Sequence, residues 1–118
     1  MKLIKVALMS LIALGSLMTL TFAAGEIEKG KALFNDPNFA GGMKACSSCH
    51  PDGRGLERTG GKKEFHIMGG TQKSLEEAIN FCIVNAIQGK AIDVNSAEMK
   101  EMVAYIKSLW TKKTTPGY

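Results

Sequence analysis

Two thiols and an imidazole stand together in Cys46-Ser47-Ser48-Cys49-His50, and their spacing suits the attachment of a porphyrin. Cysteines two residues apart can add across the two vinyl groups of the ring to form thioethers, and the adjoining histidine then lies beneath it, within reach of the iron. One-electron iron chemistry is the first expectation, with Cys46 and Cys49 holding one haem c and His50 binding its iron. A zinc site would need a second ligand pair at comparable spacing, whereas the chain offers isolated Cys82 and His66. A redox dithiol expects a βαβ setting, and the surrounding sequence reads as helical.

Residues 1–23 read as an export signal: Lys2 and Lys5 precede an apolar run from Val6 to Leu20, and small residues follow at Thr21 and Ala23. Cleavage is expected near Ala23, leaving residues 24–118 as one haem domain in the periplasm, the side of the membrane where such attachment occurs. Left uncleaved, the stretch from Leu3 to Ala24 would approach the roughly 20 residues of a spanning helix and serve as an anchor.

The 118-residue chain carries a formal charge of +4, which falls to +2 without Lys2 and Lys5. Two haem propionates would bring it near neutrality. No basic face is interleaved with aromatics, so nucleic acid is not an expected partner. With Cys46 and Cys49 committed to haem, Cys82 has no disulfide partner in a monomer. Lys62-Lys63 and Lys112-Lys113 read as solvated surface. A domain this small has a thin core, to which an internal porphyrin would add apolar area.

The elements that must position the pentapeptide are short. A first helix is expected from Ile27 to Phe34, stopped by Asn35-Asp36-Pro37. Pro51 to Gln72, with six glycines, reads as irregular chain wrapping one side of the ring. Ser74-Leu75-Glu76-Glu77 is a capping box opening a helix expected to run to Gly89, with Leu75, Ala78, Ile79, Cys82, Ile83, Ala86 and Ile87 on one face. A last helix is expected from Asn95 or Ser96, carrying the stripe Met99, Met102, Val103, Ile106, Leu109 and Trp110, with 114–118 as a loose tail.

From Gly30 onward the chain resembles the class I, monohaem type of cytochrome c: Gly30 and Phe34 in a first helix, then C-x-x-C-H, then Val103-Ala104-Tyr105-Ile106-Lys107-Ser108-Leu109. The resemblance implies an all-α fold of three to four short helices around one covalently bound haem, with Gly30 and Phe34 meeting Tyr105 and Leu109 where the terminal helices cross. Ile79-Asn80-Phe81-Cys82, Gly89-Lys90 and Ser96-Ala97-Glu98-Met99 also look like a subgroup of small exported bacterial cytochromes and like the haem domains of thiosulfate dehydrogenases. The chain departs from the common pattern in having no methionine between residues 83 and 98.

The ligand opposite His50 is therefore open. Met99 is the first choice: thioether sulfur is a soft neutral ligand, and a first-turn side chain leans past the helix N-terminus toward a cofactor. It could equally fill the core. Cys82 competes, because the resemblance to thiosulfate dehydrogenases would make it a thiolate ligand; Met68, His66, Met43 and an open site complete the candidates. The reading adopted is an exported electron-transfer protein, not an enzyme, cycling Fe(III) and Fe(II) with redox partner proteins. The alternative is a haem enzyme acting on sulfur compounds such as thiosulfate if Cys82 ligates iron, or a peroxidase or ligand-binding protein if the sixth position is open.

Overall fold

The computed structural model describes the backbone of residues 23–113 and the side chains through Trp110. The expected export signal, apart from its last residue, the Lys112-Lys113 side chains and the tail 114–118 lie outside the described residues. Helix α1 covers residues 23–35, α2 Leu75–Asn85 and α3 Ala97–Lys113. Among the described residues no helix is long and apolar enough to cross a membrane.

Helices α1 and α3 cross at Gly30. A Cβ there would fall on the Glu101 carbonyl oxygen and within 2.8 Å of Tyr105 Cβ, so only glycine permits this approach. One turn further on, the Phe34 and Tyr105 rings meet edge-tilted, centroids 5.2 Å apart at 58°. Phe34, Met99, Met102, Tyr105, Ile106 and Leu109 are all buried in the core cluster. Leu109 also fills the space beside Gly53, where a Cβ would collide with its methyl groups, and so fastens the end of α3 to the segment after the haem pentapeptide.

The expected all-α class needs one correction. Phe65–Ile67 (β1) and Gly70–Gln72 (β2) pair antiparallel, Phe65 opposite Gln72 and Ile67 opposite Gly70, so a small hairpin accompanies the three helices. Its two-residue turn places Met68 (φ 48°) and Gly69 (φ 79°) in the left-handed region, which matches the twist of a tight hairpin. Alternation along β1 buries Phe65 and exposes His66.

Helix α2 begins with half of the expected capping box: Ser74 Oγ accepts from the Glu77 N–H at 3.1 Å, while Glu77 Oε2 accepts from the Lys73 N–H at 2.8 Å, one residue before the cap. It ends four residues before Gly89. The Ala86 and Ile87 amides both donate to the Cys82 carbonyl (2.8 and 3.2 Å), Gln88 turns left-handed (φ 59°), and the Gly89 amide reaches back to Ile83 O at 2.8 Å. The chain beyond is tied down twice. Lys90 donates to Ala40 O and Met43 to Ile87 O, both at 2.8 Å, while the Asn80 amide exchanges two hydrogen bonds with the Ile92 backbone. Ser96 caps α3, its Oγ accepting from Met99 N at 3.2 Å.

Candidate haem site

Between α2, the hairpin and the 46–62 segment lies a cavity of about 250 Å³, open on one side. Its walls are mostly apolar: Leu56, Phe65, Ile67, Leu75, Ala78 and Ile79, closed at the back by Phe34, Met102 and Ile106. Cys46, His50 and Cys82 all line it.

The pentapeptide is folded by tight turns rather than a long helix. Cys46–Ser48 forms a single 3-10 turn, and the Cys46 carbonyl accepts from both Cys49 N (3.2 Å) and His50 N (3.1 Å). This curls the stretch so that the two thiols and the imidazole share one neighbourhood. A second turn, Pro51–Gly53, reverses the chain through left-handed Asp52 and Gly53 and brings the Arg54 carbonyl to 2.9 Å from His50 Nδ1. A carbonyl can only accept, so Nδ1 carries the proton and Nε2 keeps its lone pair for a metal. Gly55 leaves the flank of the ring open: a Cβ there would stand 3.6 Å from Nδ1.

As free thiols, Cys46 and Cys82 disfavour ionisation. Burial first, and then the proximity of Cys82, push Cys46 up to about 11, while burial and then Cys49 raise Cys82. Cys46 and Cys82 line the cavity, whereas Cys49 is exposed. The donor set fits haem c, with a preset imidazole, two thiols at its side and an apolar chamber beyond them.

The other candidate ligands are spread more widely. Met99 is completely enclosed in the core and is not among the residues lining the cavity. Met43 and Met68 are 78% and 69% exposed, the first in a loop and the second at the hairpin tip, and neither lines the cavity. His66 reaches the rim, its Nδ1 3.1 Å from Thr71 Oγ1. Met102, three residues beyond Met99 and sharing its apolar stripe, does line the chamber, and periodicity alone gave no reason to separate the two. Lys62 is exposed, as its reading as solvated surface expects, and it also lines the cavity.

Residues 29–112 match the protein family described as SoxA/TsdA, cytochrome c domain. The chain belongs to that family. Covalent haem c with its iron is therefore the cofactor of this SoxA/TsdA-type domain, and the class I cytochrome resemblance narrows to it. A thiosulfate dehydrogenase from Psychrobacter arcticus is 31% identical over 88 residues, 68% of this chain and 26% of that protein. The chain thus spans about a quarter of the length of that relative. No solved structure gives a significant match. The expectation of a carrier that is not an enzyme is overturned here: a SoxA/TsdA-type domain whose matched relative is named as a dehydrogenase is not assigned to carriage alone.

Proposed function

We propose that this chain is an exported, monohaem redox domain that takes electrons from an inorganic sulfur anion of the thiosulfate class and passes them to redox partner proteins. Cys82 carries the reading. Its sulfur shares the cavity with His50, on a helix face where the small Ala78 also lines the chamber and leaves room for a flat ring to approach. Among the sulfur ligands weighed from the sequence, Cys82 alone lines that chamber. The family match and the thiosulfate dehydrogenase relative support the same direction.

Bound haem c supplies one-electron exchange between Fe(III) and Fe(II). The chain's own groups do the rest. Arg54 O holds the His50 proton on Nδ1, His50 and Cys82 would hold the iron, and Phe65, Ile79 and Ile106 would exclude water from it. Two thiosulfate ions joined through a new S–S bond release two electrons and no proton, so each turnover draws on two successive one-electron transfers. Export through a leader cleaved near Ala23, and action as a monomer, belong to the same proposal.

The deciding experiment is the EPR spectrum of oxidised holoprotein, compared among wild type, Cys82→Ser, Met99→Ala and Met102→Ala. A thiolate-type low-spin signal lost only in Cys82→Ser, together with loss of thiosulfate-dependent haem reduction, is expected. A signal that survives Cys82→Ser and disappears in either methionine variant would refute the ligand assignment.

A further inference from the structure

We propose that Lys62, with Thr59 beside it, forms an oxyanion seat at the mouth of the haem cavity. For one of its two ligand sources this rests on the sulfur-oxidation reading; for the other it does not. No aspartate, glutamate or arginine is among the described residues lining the chamber, and Lys62 is the one lysine that is. Among the described residues Glu101 pairs with Lys29 and Glu64 lies 4.0 Å from His66, so neither of these carboxylates is engaged by Lys62.

The seat is also held in place. Lys62 N–H closes the Thr59–Gly61 turn on Thr59 O at 3.1 Å. The turn lies flat against α3: a Cβ at Gly60 would stand 3.1 Å from Lys107 Cα, and one at Gly61 3.5 Å from the Trp110 indole. With its back pressed on a helix, the turn presents Thr59 and Lys62 to the opening, where the lysine stem can lie on apolar wall and its ammonium remain at the rim. His66, the other basic group at the edge, is occupied by Thr71 and Glu64. An unpaired ammonium at an apolar mouth attracts anions, and a neighbouring hydroxyl can donate to a second oxygen.

An oxyanion can reach this seat from two sources: the carboxylate of a haem propionate, or a sulfur oxyanion such as thiosulfate. Both are tested on holoprotein carrying Lys62→Gln or Lys62→Glu, with Lys63→Gln as a charge control, since Lys63 is exposed and does not line the cavity. Two quantities are read: the midpoint potential without added anion, and thiosulfate affinity from the absorption spectrum of oxidised protein. A substrate seat weakens thiosulfate binding on the order of tenfold in Lys62→Gln, more in Lys62→Glu, with the potential moving no further than in Lys63→Gln. A propionate seat lowers the potential beyond the control, because a compensating positive charge is lost near the iron, while thiosulfate affinity holds.

If neither quantity departs from the Lys63→Gln control, the seat does not exist. A response to thiosulfate lost in Cys82→Ser but intact in Lys62→Gln, with the potential at the control value, removes the seat and leaves the sulfur reading standing. Wild-type protein that ignores thiosulfate while its potential depends on Lys62 does the reverse.

Discussion

Asn80 holds Ile92 by both of its backbone polar groups: Nδ2 donates to Ile92 O at 2.8 Å, and Oδ1 accepts from Ile92 N at 2.9 Å. One side-chain amide thereby imitates a strand partner for a segment that has none, and fastens the α2–α3 connection to the helix carrying Cys82. Asn80→Ala removes both bonds and leaves two partly buried backbone groups unpaired. A loss of roughly 1–3 kcal/mol is expected in denaturant unfolding of holoprotein. Unchanged stability would mean that water replaces the amide at no cost.

Glycine to alanine should act in opposite directions at two positions of α1. At Gly30 the new methyl meets backbone at Glu101, which cannot rotate away, so the helices must part; a cost of about 1–3 kcal/mol or more is expected. At exposed Gly25 nothing lies within 4 Å of the added carbon, and the gain in helix propensity should stabilise by up to about 1 kcal/mol. Thermal melts of the two variants check the sign.

Haem retention separates the roles within the pentapeptide. Cys46→Ala combined with Cys49→Ala should abolish covalent attachment, read as haem lost on denaturing extraction. His50→Ala should keep both thioethers while losing the low-spin spectrum, because the side chain oriented by Arg54 O is the one removed.

Alkaline stability should depend on Tyr105. Burial, and then the charges of Asp52 and Glu28, raise its phenol above the ordinary 10.0. The folded state thus holds this proton more tightly than the unfolded chain does, so the associated stability is complete below pH 10 and fades as pH rises through the folded value. Tyr105→Phe should flatten that decline relative to wild type in pH-dependent unfolding.

Local signals made part of this molecule readable. Ser74 and Glu77 announced the start of α2, Ser96 that of α3, and C-x-x-C-H announced the cofactor, because each rests on neighbours in the chain. The end of α2 was misread at Gly89, since the reversal is made by Gln88 and by a carbonyl, Cys82 O, that accepts twice. The hairpin was hidden because its strands are three residues long and its turn is Met68-Gly69 rather than an asparagine-glycine pair. The site was harder. Met99 and Met102 share one stripe, and only the tilt of α3 against its neighbours decides which of them meets the chamber. Lys62 looked like any surface lysine until the 59–61 turn was folded against Trp110.

That last helix works as a ruler. Tyr105 marks the crossing with α1, Leu109 the segment behind the pentapeptide, and Trp110 the turn that carries Lys62. Three stretches distant in the chain are thus registered on fewer than two turns of a single rod. A one-residue insertion after Tyr105 would swing Leu109 and Trp110 round by about 100°, mis-setting both edges of the chamber at once although neither residue lines it.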